Sequence, residues 1–192
     1  WVNYIRCHDD IGWTFADEDA WELGINGFDH RQFLNQFYTG QFPGSFARGG
    51  IFQENEQTGD RRNSGSFASL AGLEAALETK NNEEANLAVQ RMLMGVALMC
   101  SFGGLPLLYM GDEVGLLNDY TYVDVPEHAH DNRWLHRPMM DWALVKNPNA
   151  SVKDLLNGVK HIIQRRKATP HLASQVPTKI IDTANEKLFA FI

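Results

Sequence analysis

The feature that most restricts the fold is an uncharged run of 20 residues, 92–111. A run of this length is long enough to cross a bilayer as a single helix. It is interrupted by Gly103-Gly104-Leu105-Pro106, however, and neither a glycine pair nor a proline favours continuation of a helix. The run therefore predicts a buried helix, a tight turn and a short buried strand rather than a membrane span.

The composition argues against two classes of partner. Seventeen Lys and Arg against 24 Asp and Glu give a net charge of −7, whereas proteins that bind nucleic acids or anionic membranes present basic surfaces. We therefore expect neither nucleic acid nor membrane as a partner.

Two cysteines, Cys7 and Cys100, are too few for a disulfide framework or a cysteine metal site. We expect no cofactor.

The order of elements predicts an α/β protein. Residues 1–7 and 105–110 predict two buried strands, and residues 176–192 are again strand-like. Helices are predicted near residues 17–23, 29–38 and 64–79, from an N-cap at Asn82 to Cys100, and from a capping box at Ser151 and Asp154. Leu70, Leu73, Ala76 and Leu77 are expected on one buried stripe. Strands that alternate with helices favour a parallel sheet, whose sites lie at the carboxyl ends of its strands.

Polar clusters follow both predicted strands. His8-Asp9-Asp10 follows the first, and a carboxylate beside an imidazole suits sugar hydroxyls or a metal ion, although a solvated loop fits equally well. Gly111-Asp112-Glu113 follows the second strand. Its paired carboxylates suit acid–base chemistry or the orientation of neighbouring loops.

Two further clusters carry arginines. In Asp60-Arg61-Arg62-Asn63-Ser64-Gly65, a guanidinium could bind carboxylates or polyols, or the segment could begin a helix capped by Asn63 or Ser64. In the segment 127–134, His128 and His130 suggest a metal site but lack a second ligand pair. Arg133 beside Trp134 is better interpreted as an ion-pairing or stacking residue of a pocket wall.

The order of these clusters resembles the α-amylase superfamily, glycoside hydrolase family 13. His8-Asp9-Asp10-Ile11-Gly12-Trp13 is similar to the seventh-strand signature of its amylosucrase and sucrose hydrolase branch. Residues 44–49, 52–53 and 59–65 resemble that branch's insertion after strand seven. Residues 104–113 resemble the family's eighth strand, and 132–138 the loop after it.

The resemblance implies the C-terminal quarter of a (β/α)8 TIM barrel, with strands 7 and 8, their helices and a large inserted subdomain. Residues 1–8 and 82–171 would belong to the barrel, and 9–81 to the insertion. Residues 172–192 would begin a C-terminal β-sandwich. Both ends of the chain are apolar and strand-like, so we expect a fragment of a longer protein.

The resemblance also assigns roles at the first cluster. Asp9 matches the aspartate that stabilises the transition state, and His8 matches the histidine that binds the same sugar ring. The family's nucleophile and acid/base lie on strands four and five. Asp112 and Glu113 belong to the eighth-strand motif and do not replace them, so the chain alone is expected to be inactive.

The remaining assignments concern the second half of the substrate. Asp10 and Arg62 match the residues that hold the fructosyl unit of sucrose, and Gln53 is a weaker candidate for the same region. Arg133 matches the arginine that pairs with an upstream aspartate and closes the pocket. No metal ligand is implied.

The resemblance thus implies part of a retaining α-glucosyltransferase or glucosidase that cleaves sucrose and passes glucose to a glucan or water. Its partners would be sucrose, α-glucan and the rest of the barrel, and the fragment could self-associate through its strand edges. Three alternatives stay open: an enzyme of the same family acting on maltodextrin or trehalose, a non-catalytic carbohydrate-binding or structural remnant, and a His–Asp metallohydrolase. A soluble protein is expected; its localisation stays open, with the cytoplasm slightly favoured over secretion.

Overall fold

The computed structural model describes all 192 residues. Seven α-helices are present: α1 (Asp17–Glu22), α2 (Gly27–Tyr38), α3 (Phe67–Ala71), α4 (Leu73–Glu78), α5 (Asn82–Ser101), α6 (Trp142–Lys146) and α7 (Ala150–Ala168). Short 3-10 segments span Asp112–Val114, Tyr120–Asp124, Asn132–His136 and Pro170–Leu172. Seven strands are present: β1 (Val2–Asn3), β2 (Ile11–Gly12), β3 (Gly50–Phe52), β4 (Arg62–Ser64), β5 (Leu105–Pro106), β6 (Ile180–Ile181) and β7 (Ala190–Phe191).

The strands form three small sheets, so the chain is a mixed helix and sheet structure. β1 and β5 pair in parallel, with Val2 opposite Leu105. β2, β4 and β3 form an antiparallel sheet in that order, and β6 and β7 form an antiparallel pair. Because β1 and β5 are parallel, the loops that follow them emerge on the same side.

The uncharged run folds in the predicted order, as α5, a turn and β5. Gly103 and Gly104 both have positive φ, which allows the sharp turn between α5 and β5. The predicted burial of the whole helix is wrong: Met92 and Val96 are buried, whereas Met94 is 69% exposed. None of the helices combines the length and hydropathy that a membrane crossing requires.

Both predicted buried strands are shorter and more exposed than expected. Only two residues of each predicted strand take part in the sheet. Trp1, Leu105 and Met110 are exposed. β1 and β5 pair only with each other, so each has one unpaired edge and the sheet has no further strand to extend it. The pattern of apolar residues therefore predicted their place in the chain but not their burial.

The predicted helix at 64–79 is replaced by a strand and two helices. Ser64 ends β4, and the side chain of Ser66 caps α3 by accepting from the Ser69 N–H. Gly72 has a φ of 101° and separates α3 from α4. The other three residues of the predicted stripe are buried, whereas Leu77 is exposed although it was expected to be buried. Neither Asn63 nor Ser64 is a helix cap, because both lie in β4.

The two predicted helices at 17–23 and 29–38 are confirmed as α1 and α2. The predicted caps of the long helices are wrong by a few positions. Asn81, not Asn82, caps α5 by accepting from the N–H groups of Glu83 and Glu84. Asn149 caps α7, so Ser151 lies within the helix rather than in a capping box. In each case an asparagine directly before the helix takes the capping position.

The main core joins α3, α4, α5 and α7. Met92 and Val96 of α5 pack in one cluster with Leu155 and Val159 of α7. Residues from α3 and α4, including Ala68 and Ala76, complete the cluster. The helices α5 and α7 of this core contact, respectively, β5 and the 3-10 segment Asp112–Val114 that follows it.

Candidate functional site

The loops after β1 and β5 are joined by a buried ion pair. The Arg6 Nε donates to Asp112 Oδ1 at 3.2 Å, and the two residues are only 4% and 6% exposed. The Arg6 guanidinium also lies 4.5 Å from the centre of the Tyr109 ring. Parallel pairing of the strands thus brings residues that are 106 positions apart into contact.

Burial dominates the electrostatics of this pair. It raises the pKa of Asp112 to about 6, although the neighbouring Arg6 opposes the rise. Glu113, the next residue, accepts a hydrogen bond from the Gly111 N–H at 2.9 Å. Both carboxyl groups of the Gly111-Asp112-Glu113 cluster are therefore engaged in holding the loop.

The antiparallel sheet places Arg62 at the first cluster. β4 pairs with β2 so that Arg62 lies opposite Gly12, two residues after Asp10. The Arg62 Nη1 approaches Asp10 Oδ2 at 3.3 Å. The Asp10 side chain is 7% exposed, whereas half of the Arg62 side chain is open to solvent.

Arg133 reaches the same cluster from the loop after β5. Its Nη1 donates to Asp9 Oδ1 at 2.9 Å, and its Nη2 donates to Asp131 Oδ2 at 2.8 Å. Asp131 also caps the 3-10 segment by accepting from the Arg133 N–H. The guanidinium packs over the ring of Phe52, at 4.9 Å from its centre.

These arginine contacts favour the ionised carboxylates. Hydrogen bonding to Arg133 holds the pKa of Asp9 well below its usual range and lowers that of Asp131 to about 2. Asp10 differs, because its burial and the adjacent Asp9 carboxyl raise its pKa. The pKa values of these two neighbouring carboxyl groups thus shift in opposite directions, and Asp9 is the one that its partners hold ionised.

Two adjoining concave surfaces carry these groups. Asp9, Asp10 and Arg62 line one of about 430 Å³. Arg133 and Gln53 line another of about 500 Å³. Gln53 follows β3 with a φ of 47°, and its side chain is exposed.

Of the residues singled out in the sequence, His8 contributes least through its side chain. The exposed imidazole lines neither surface and lies 6.5 Å, centre to centre, from the Tyr109 ring. Its main-chain carbonyl is strongly held, however, by donors from His136 Nε2 at 3.1 Å and Arg137 Nε at 2.7 Å.

Sequence reasoning missed Asp131, His136 and Arg137 as parts of this arrangement. All three lie in or next to the segment that was singled out for Arg133, so their proximity in sequence was visible. The contacts of His136 and Arg137 with the His8 carbonyl join residues 128 and 129 positions apart, and no local pattern indicates them.

His128 and His130 do not form a metal site with neighbouring side chains. No group of three or more His, Cys, Asp or Glu residues in the structure is arranged to hold a metal ion. The His128 ring instead stacks on Trp134, with 3.6 Å between ring centres and 13° between planes.

The site thus offers two ionised carboxylates, Asp9 and Asp131, one carboxyl with a raised pKa and two guanidinium groups around open concave surfaces. This set can accept hydrogen bonds from hydroxyl groups and donate hydrogen bonds to their oxygens. A comparison with models of known protein families finds no match to this chain.

Proposed function

We propose that this chain forms part of the sucrose pocket of an amylosucrase-like enzyme of the α-amylase superfamily. In this proposal the chain is the last quarter of a (β/α)8 barrel, and β1 and β5 are neighbouring strands of its wall. Their parallel pairing supports the proposal, as does the position of α5 before β5 and of α7 after it. The polar groups follow the carboxyl ends of these strands, where barrel enzymes carry their sites.

One observation carries the proposal. Asp10 contacts Arg62, which is 52 positions away, and Asp9 contacts Arg133, which is 124 positions away. The resemblance assigns three of these residues to binding the two halves of sucrose, and it assigns Arg133 to an ion pair that closes the pocket. Their convergence is independent support, since the motifs were identified from sequence alone.

The electrostatics fit the role proposed for Asp9. An ionised carboxylate accepts hydrogen bonds from sugar hydroxyls, and such bonds strengthen as positive charge develops on the ring in the transition state. The lowered pKa of Asp9 keeps this acceptor ionised even in acidic solution. In the proposal, Asp10 and Arg62 contact the fructosyl unit, and the half-exposed Arg62 retains donors for its hydroxyls.

The reaction proposed for the longer protein is retaining. An aspartate on another strand attacks the glucosyl carbon, a protonated glutamate gives its proton to the departing fructose, and the glucosyl unit then passes to a glucan or to water. The carboxylates of this chain do not supply these two groups. Asp112 is buried against Arg6, and Glu113 bonds to the loop backbone. The 192 residues are therefore proposed to bind sugar without cleaving it.

The same observation favours a second candidate function, a carbohydrate-binding module without chemistry. It has the same Asp9, Asp10 and Arg62 groups but no further barrel strands to supply a nucleophile. A sucrose-cleavage assay on the intact source protein, together with its mass, separates the two. A mass well above 21.7 kDa with fructose released supports the enzyme. A mass of 21.7 kDa with sugar bound but not cleaved supports the module.

The substrate is tested by Arg62→Ala in the intact protein, with Arg61→Ala as the matched control. Arg61 is the adjacent residue, and it pairs with Glu54 instead of with the site. A hydrogen bond to a charged group contributes about 1.5–3 kcal/mol, so kcat/KM for sucrose should fall on the order of 10- to 100-fold in the first variant only. Unchanged sucrose turnover would remove Arg62 from the proposed fructosyl site, and the assignment of sucrose would lose its main support.

A further inference from the structure

The imidazole of His136 is almost completely enclosed. His136 ends the 3-10 segment Asn132–His136 and is 1% exposed. Its Nδ1 lies 3.1 Å from the backbone nitrogen of Gly65, and its Nε2 lies 3.1 Å from the carbonyl oxygen of His8. Both ring nitrogens therefore have a backbone partner.

These two partners define the position of the ring proton. A backbone N–H only donates, so Nδ1 must accept from Gly65 and carries no proton. A carbonyl only accepts, so Nε2 must carry the proton and donate it to His8. The two bonds form together only in the neutral ring with its proton on Nε2.

The charges around the ring favour the same state. Arg6 donates to the backbone carbonyl of His136 at 3.4 Å, and Arg137 donates to the carbonyl of His8. Burial, followed by the effect of Arg6, lowers the pKa of His136 to about 4, while Asp9 opposes this only weakly. The ring is therefore neutral at pH 7.

The partners of the ring belong to the three segments that form the candidate site. His8 directly precedes Asp9, Gly65 lies three residues after Arg62, and His136 itself lies three residues after Arg133. We propose that His136 is a positioning residue, which in its neutral form holds Asp9 in contact with Arg133 and holds the β4 segment beside them.

The inference rests on the proposed function for its importance to sugar binding, but its geometry does not involve sugar. The inference predicts a change in the pKa of Asp9 when the His136 ring is replaced, which a merely structural role would not produce. Without the two ring hydrogen bonds, the His8 carbonyl keeps only its contact with Arg137, and the hold of the turn on Asp9 beside Arg133 is weakened. The pKa of Asp9 should then return toward 3.8, its ordinary value.

The test uses nuclear magnetic resonance on the 192-residue chain without ligand. Ring-nitrogen shifts of His136 report the tautomer at pH 7, and the Asp9 carboxyl carbon is followed between pH 7 and pH 3. Three variants are compared with the wild type: His136→Phe, His136→Gln and Val159→Ala. Phe keeps a ring without hydrogen bonds, Gln keeps one donor and one acceptor, and Val159 is a buried core residue of α7 remote from the site.

We expect a bare Nδ1 and a protonated Nε2 in the wild type. Asp9 should remain ionised down to pH 3 in the wild type, in His136→Gln and in Val159→Ala, and should titrate near 3.8 in His136→Phe. A proton on Nδ1 at pH 7 would overturn the inference, even if His136→Phe did not fold. So would an unshifted Asp9 in a folded His136→Phe, or an equal shift in Val159→Ala. Failure of the sucrose assay would overturn the proposed function and leave these results to stand.

Discussion

Asp112 and His136 are two buried groups beside Arg6 whose titrations oppose each other. Burial raises the pKa of Asp112 from 3.8 to about 6, so between these values the folded state keeps a proton that the unfolded state has lost. The contribution of Asp112 to the free energy of unfolding therefore falls as the pH rises from about 4 to 6. The shift corresponds to about 3 kcal/mol.

His136 acts in the opposite direction. Its pKa falls from 6.5 to about 4 on folding, so between these values the unfolded state holds the extra proton. The free energy of unfolding therefore rises with pH across this window, again by about 3 kcal/mol, and is constant above 6.5. In the wild type the two contributions nearly cancel between pH 4 and 6.5.

Replacing either residue should reveal how titration of the other one changes the free energy of unfolding with pH. In Asp112→Asn, which keeps an oxygen to accept from Arg6, the free energy of unfolding should rise by about 3 kcal/mol more than in the wild type between pH 4 and 6.5. In His136→Gln it should fall by about the same amount relative to the wild type. The double variant should run parallel to the wild type.

Urea unfolding at half-unit steps from pH 4 to pH 7 measures these profiles. Comparing slopes rather than absolute values separates the titration from the constant cost of each substitution. Because the other ionisable groups are common to all four proteins, their effects cancel in the comparison. An Asp112→Asn profile parallel to that of the wild type would show that the carboxyl does not titrate in this window, and the reasoning would be refuted.

Three further predictions concern folding, and each is measured by urea or thermal unfolding. Asn81→Ala should lower the free energy of unfolding by about 1 kcal/mol through loss of the α5 cap, whereas Asn82→Ala, one position into the helix, should cost little; equal losses would contradict the assigned cap. Met92→Ala should cost about 2–5 kcal/mol because Met92 is fully buried, and Met94→Ala should be near neutral because Met94 is 69% exposed; the reverse order would contradict the packing of α5. Gly72→Ala should cost more than about 1 kcal/mol because φ is 101° and the added Cβ would lie 2.9 Å from the Phe46 ring; a neutral or stabilising result would exclude this conformation.

Local sequence patterns predicted the elements where the determining contacts are close in the chain. The acidic first turn of α1, the uncharged run of α5 and the apolar stripe of α7 each favour one local structure irrespective of distant residues. The predictions of helix boundaries were wrong where neighbouring residues favour different boundaries. Asn81 and Asn82 are both suitable caps, and the apolar stripe at 64–79 continues through a glycine that in fact separates two helices.

The candidate site likewise has features that the sequence predicted and features that it did not. The residue types at His8-Asp9-Asp10, Arg62 and Arg133 were visible in the sequence, and so was the interpretation of Arg133 as an ion-pairing residue. Burial of the strands was not, because it depends on which elements cover them. Met94 and Leu105 are as apolar as the residues of the core and yet are exposed.

The sequence by itself determined which chemical groups the chain carries, and it placed His8-Asp9-Asp10 and Gly111-Asp112-Glu113 directly after the predicted strands. Only the tertiary structure decided which of those groups meet. The register of β4 on β2 brings Arg62 to Asp10, and the loop after β5 brings Arg133 to Asp9 and His136 to the carbonyl of His8. These contacts span 52 to 128 positions, and their energies depend on burial and on partners that no local pattern encodes.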